Sequence, residues 1–350
     1  MCEKLGILRL VICYLTCFCL LVLSFFSVLS DKSVDISQNE EISYFWSDSV
    51  FTSSKENITQ TEQKPQETAK EQNINTENET VQVSTEAVKG QIIEKYISPY
   101  TAPQSFNNIY MKNSTDLAVD IKSLLNSSLN FKINKNDQPQ VLIMHTHTTE
   151  TFMQEDQNFY TSEFNSRTTD NNKNMAKIGS IVAEKLNLAG IKTLHDATKH
   201  DYPEYTGSYG RSAKTVKSYL DKYKEIKIVL DLHRDAVTSG DSDKVKLVTE
   251  INGKKAAQVM LVMGSQSGSI TNHPNWQENL KLALKLQQML EVKYPTLARP
   301  LSLMSKRYNQ SLSAGALLIE FGTDANTLEE ACYSAELVAD ALISLLNTLQ

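Results

Sequence analysis

The run VLIMHTHTTETF at Val141–Phe152 constrains this chain more than any other stretch. Four apolar residues, two of them β-branched, break off at His145 into a string of His, Thr and Glu. So abrupt a change reads as a strand buried in a sheet and leaving it, at its carboxyl end, through a polar loop. His147 and Glu150 lie three apart in that loop. Imidazole and carboxylate are donors that zinc accepts together with a third protein ligand and an open position for water. His145 alternates onto the face of His147 and is its rival as first ligand. A lone HxxE pair is equally compatible with ordinary loop residues, so the rest of the chain must decide.

Downstream, strand-like and helix-like stretches alternate. Apolar residues at helical spacing mark 118–129, then 171–189, where Met175, Ile178, Val182 and Leu186 form a stripe ended by Gly190. A short strand at Ile191–Leu194 and a helix at 210–224 follow, and Ile226–Leu232 is a nearly continuous apolar run that fits a central strand covered on both faces. Val245–Ile251 and Ala257–Met263, with Asn252 and Gly253 between them, suggest a hairpin or an antiparallel edge. A helix at 275–292, a buried strand at Ala316–Phe321 and a helix at 328–349 complete the pattern, which predicts one α/β domain from 91 to 350 with a mostly parallel sheet flanked by helices.

In open α/β sheets the loops leaving the carboxyl ends of parallel strands converge on one edge. Three strands here end in chemistry: the first in His147 and Glu150, the second in DLHRDA with His233, the third in LLIEFGTD with Glu320. His147, Glu150 and His233 form the expected zinc site. Zinc acidifies its bound water, and a carboxylate off the metal then takes the proton and returns it to the leaving amine, the role assigned to Glu320. A lone Glu between Ile319 and Phe321 is costly to bury unless it is functional or paired, with Arg234 or Arg211 as the candidate partners. Asp231 alternates onto the face of His233, where it would orient a ligand or serve as a plain buried hydrogen-bonding group. His195 and His200 follow another strand end as further candidates for ligand or substrate contact, and His273 reads as a surface loop residue.

The amino-terminal third is different in kind. Residues 10–29 carry no charge, and about 20 such residues suffice to cross a bilayer. Lys4 and Arg9 before the span and Asp31 after it place the amino terminus in the cytoplasm and the rest outside. A cleaved signal peptide is the other reading, since Val28 and Ser30 are small. Of the five cysteines only Cys332 falls beyond this segment, which excludes both an internal disulfide and a cysteine-based metal site in the exported part. From 31 to 90 the composition is polar and acidic apart from a small apolar patch at Ile42–Phe51, and the stretch reads as a disordered tether. The net charge of −6 and the lack of a basic stripe argue against a nucleic-acid partner.

With HTHTTETF, HDYPEYTGSYGRSAKTV, VLDLHRDA and LLIEFGTDANTLEEA in this order, the chain resembles the stage II sporulation protein P family of membrane-anchored peptidoglycan hydrolases from endospore-forming bacteria. The resemblance covers roughly 91 to the end. It implies a fold like that of zinc-dependent N-acetylmuramoyl-L-alanine amidases, with a twisted sheet and a His, Glu, His zinc site beside a catalytic Glu. It further implies cleavage of the N-acetylmuramoyl-L-alanine amide, endopeptidase action on cross-links, and septal wall thinning during engulfment, beside stage II sporulation proteins D and M. Two other functions suit the same residues. A zinc carboxypeptidase on stem peptides would need an Arg for the terminal carboxylate, from Arg211 or Arg234. A non-catalytic wall-binding module would keep the fold alone.

Overall fold

The structure, a computed structural model, describes residues 87–350. The predicted membrane span and nearly all of the predicted tether lie outside the described residues, among which no helix is long and apolar enough to cross a membrane. The chain enters as β1 (Val88–Lys95), which begins inside the stretch read as tether. A hairpin of β2 (Gln104–Phe106) and β3 (Ile109–Asn113) leads to α1 (Ile121–Asn126), which is shorter than the periodicity suggests. Then come β4 (Val141–Met144), β5 (Phe159–Thr161), α2 (Met175–Leu188), β6 (Thr193–His195), α3 (Ser208–Lys222) and β7 (Ile228–Asp235). The remaining elements are β8 (Thr238–Ser239), β9 (Asp243–Ile251), β10 (Lys254–Ala257), β11 (Val259–Gly264), α4 (Trp276–Lys293), β12 (Leu301–Met304), β13 (Ala316–Thr323) and α5 (Leu328–Asn347).

Local chemistry explains where the helices start and stop. Asn174 caps α2 by accepting from the Ala176 N–H, and Gly190, at φ 80°, turns the chain out beyond it. Thr327 and Glu330 form a reciprocal capping box at the start of α5. The strands sort their residues by parity. Val141, Ile143, Ile228, Leu230, Leu232, Leu317, Ile319 and Phe321 join α1, α2, α4 and α5 in the main core. Leu142, Met144 and Val229 face α3 on the other side.

Eight strands form the main sheet in the order β2-β3-β12-β11-β13-β7-β4-β6. The sheet is mixed, with five of its seven pairings parallel and two antiparallel, so the mostly parallel sheet expected is met only in part. Strands β13, β7, β4 and β6 run parallel, but β11 is antiparallel to β13, and β2 is antiparallel to β3. The reason for the antiparallel β11 lies in the stretch read as a hairpin or an antiparallel edge. Asn252 and Gly253, both at positive φ, do turn β9 back, but onto β10 in a second sheet. At Gln258 the chain then crosses into β11. The buried Gln258 side chain holds this crossing through bonds to the Ile97 N–H and to the carbonyls of Ile97 and Thr296. A strand delivered by a short crossing instead of a helical crossover is free to run antiparallel. The second sheet, β10-β9-β1-β5 with β8 on β9, has one parallel pair, β1 with β9.

Candidate functional site

The carboxyl ends of β4, β7 and β13 lie side by side. Asp231 pairs with Met144 and His233 pairs with Glu320, so parity puts Asp231, His233 and Glu320 on the face opposite the main core. Strand β4 stops at Met144, and the chain then turns. The turn is clamped by Asp231, which accepts from the Thr146 N–H at 2.8 Å and from the Thr146 hydroxyl at 2.7 Å. The same carboxylate lies 2.8 Å from His233 Nε2, leaving Nδ1 of that ring 3.8 Å from Glu150 Oε2. Glu150 is held in turn by the Arg234 N–H, which donates to Oε2 at 3.1 Å.

His147 meets His233 edge to face with ring centroids 5.2 Å apart, and it stacks on Tyr205 at 4.6 Å. Its Nε2 is 3.2 Å from the Tyr205 hydroxyl, while its Nδ1 is buried without a hydrogen bond. Arg167 lies over the Tyr205 ring, 4.6 Å from its centroid, and pairs with Asp201 at 2.6 Å. Burial, reinforced by the positive charge on His233 and Arg167, drives the His147 imidazole well below its usual range and keeps it neutral. Burial would also lower His233, but Asp231, then Glu150 and Glu320, reverse this and hold it at about 10.

Glu320 is 2% exposed, and its Oε2 has no hydrogen-bond partner. Burial raises its carboxyl to about 8, with His233 opposing and Asp235 and Glu150 reinforcing the shift. Neither arginine suggested by the sequence pairs with it. Arg211 donates to the carbonyls of His200, Glu204 and Thr206, and Arg234 donates to those of Thr151, Ser166 and Asp235. Both are tied to backbone, and the carboxylate-binding role considered for them finds no support in their contacts.

Among the described residues no three His, Cys, Asp or Glu side chains form a ready metal-binding group. The donors nevertheless suit zinc. A neutral imidazole with an orphaned buried nitrogen at His147, the Glu150 carboxylate, and a His233 ring backed by a carboxylate are the types and outer support such a site uses.

The sequence pattern of one family, Stage II sporulation protein P, matches residues 24–343. The chain belongs to the Stage II sporulation protein P family. It is 30% identical over 223 residues to the Stage II sporulation protein P of Bacillus subtilis (strain 168), an overlap of 60% of this chain and 51% of that protein, so it spans about half the length of this relative. Among solved structures it is similar to the CwlD amidase of Clostridioides difficile, determined in complex with the GerS lipoprotein, at 12% identity and a TM-score of 0.38 over 60% of this chain and 98% of that one. The N-acetylmuramyl-L-alanine amidase Ami1 of Mycobacterium abscessus is another, at 13% identity and a TM-score of 0.35 over 60% and 99%.

In this family member the ring nitrogens of His145 and His200 are bonded to groups outside the proposed ligand set. His145 does not share a face with His147, because the strand ends before it. Its Nδ1–H donates to the Leu232 carbonyl at 3.0 Å, which leaves Nε2 to accept from His195 Nε2 at 2.9 Å. Both His145 nitrogens are committed, on the side packed against α2. His200 bonds the His145 carbonyl and the Thr215 hydroxyl, so it too is spent. His273, expected at the surface, is fully buried. The residues that sequence reasoning missed are Tyr205, Tyr209, Arg167 and Asp201, which wall His147 and Glu150. Their only signal was two tyrosines four apart around the start of α3.

Proposed function

We propose that this chain is a zinc-dependent peptidoglycan hydrolase that cleaves the N-acetylmuramoyl-L-alanine amide, with endopeptidase action on peptide cross-links, during endospore formation. The meeting of His147, Glu150, His233 and Glu320 at the common end of three strands carries this reading. Membership of a sporulation family supplies the biological setting. The apolar span at 10–29 would hold the enzyme at the outer face of the cell membrane, with stage II sporulation proteins D and M as partners.

His147, Glu150 and His233 would hold the zinc, and His145 would not. When bound, zinc polarises the amide carbonyl and lowers the pKa of a water. Asp231 fixes the His233 ring from behind and ties it to the Thr146 turn, so the ligand and the loop carrying His147 move together. Tyr205 and Tyr209 hold the His147 ring from two sides. Glu320, opposite His233, takes the proton of the attacking water and delivers it to the departing amide nitrogen, a task that suits a carboxyl titrating near neutrality. Mass spectrometry of purified peptidoglycan after incubation with the enzyme tests the reading. Glycan separated from intact stem peptides, abolished by a chelator and restored by zinc, is expected. Release of free D-alanine alone would show a carboxypeptidase instead, and no product would favour a wall-binding module.

A further inference from the structure

One strand beyond Glu320, the same face of the main sheet opens into a cleft of about 330 Å³. Met260, the register partner of Glu320, forms its near wall, with Ser302 and Met304 of β12 and Arg299 among its other lining residues. Arg299 is 1% exposed and always charged. Its Nη1 donates to Asp235 Oδ2 at 3.0 Å, while Nε and Nη2 reach no acceptor. Buried donors are nearly always satisfied, and the buried Arg234 follows that rule. The two unmatched groups lie along one edge of the guanidinium, the edge whose parallel N–H bonds match the two oxygens of a carboxylate.

We propose that this cleft is a carboxylate-binding subsite, in which Arg299 grips a free carboxylate of the stem peptide and the walls of Met260 and Met304 take its apolar side chains. The proposal rests on the peptidoglycan reading above and adds to it. A substrate held here by its peptide lies one strand from Glu320, which sets the amide to be cut relative to the stem.

Isothermal titration of the full chain in detergent with the dipeptide L-alanyl-D-glutamate, and with its diamide, tests this without hydrolysis. The acid should bind, and the diamide about tenfold more weakly or worse. Arg299→Met should abolish the difference. Because that change also strips Asp235 of its partner and risks the fold, Ser302→Trp, which fills the cleft and leaves the Arg299–Asp235 pair alone, serves as the second variant. It should keep the wild-type melting curve and lose the dipeptide. Equal binding of acid and diamide, undiminished binding by a folded Ser302→Trp protein, or no binding of the acid at all would each overturn the subsite. Dipeptide binding in a protein that cuts no peptidoglycan would uphold the subsite and sink the amidase reading. Cutting without carboxylate dependence would do the reverse.

Discussion

Glu320→Gln separates a catalytic carboxyl from a structural one, and the structure sets the size of the effect. Among the described residues Glu320 has no arginine partner; Arg299 pairs through Nη1 with Asp235. Its carboxyl titrates near 8 in the fold against 4.5 in the unfolded chain, with burial as the main cause. A folded-state pKa above the unfolded value means that the contribution to stability is whole below pH 4.5 and is lost as pH rises through 8. At pH 7 the folded metal-free protein has taken up a proton across two and a half pH units, at about 1.4 kcal/mol each. Glu320 therefore costs the fold up to about 3 kcal/mol there, a cost that a neutral Gln of the same shape does not carry. With the metal removed by a chelator, Glu320→Gln should melt roughly 6 °C or more above wild type at pH 7 and together with it near pH 4.5. Zinc content should persist, while turnover on purified peptidoglycan falls about 100-fold or more for want of a proton carrier. A variant that melts well below wild type at pH 7 would mean that a buried charge had lost its partner, worth roughly 3–5 kcal/mol. Undiminished turnover would remove Glu320 from the mechanism.

The histidines should divide on zinc content measured after dialysis. His147→Ala and His233→Ala should fall well below one equivalent, while His145→Ala keeps its metal and loses roughly 2–4 kcal/mol of stability through the unmatched Leu232 carbonyl and His195 nitrogen; an empty site in His145→Ala alone would reverse the assignment. Gly179→Ala lies in mid-helix, where Ala normally stabilises, yet its new Cβ would fall 2.4 Å from His195 Nε2 and 2.6 Å from His145 Nε2. Denaturant unfolding should show a loss of about 1–3 kcal/mol, and a gain would mean that the two rings yield freely. A fragment beginning at Gln91 loses the pairing of Val88 and Gly90 with β5, so it should fold but unfold roughly 1–2 kcal/mol more easily than one beginning at Ala87. Equal stability of the two would show that this end of β1 contributes nothing.

Features that depend on local pattern were determined by the sequence alone. Apolar runs of four to seven residues, helical stripes, Gly190 and the Asn252–Gly253 turn act through neighbours in the chain, so the strands at Val141, Ile226 and Ala316 and the helices between them were legible, and with them the strand ends that carry His147, Glu150, His233 and Glu320. Parity also placed Asp231 beside His233, because both lie within one continuous strand. The same parity failed for His145 and His147, since it holds only while the strand lasts, and whether β4 stops at Met144 is decided by Asp231, 85 positions away, accepting from Thr146. Strand direction was illegible at β11 for a similar reason: the crossing at Gln258 is held by Ile97 and Thr296. Arg299 gave no signal at all. An arginine before a proline reads as surface, and only packing in three dimensions buries it with two of its nitrogens unmatched beside the site. Pattern along the chain records what a residue's neighbours in sequence require of it, whereas hydrogen-bond commitments made across the fold decide which of several plausible groups remains free to do chemistry.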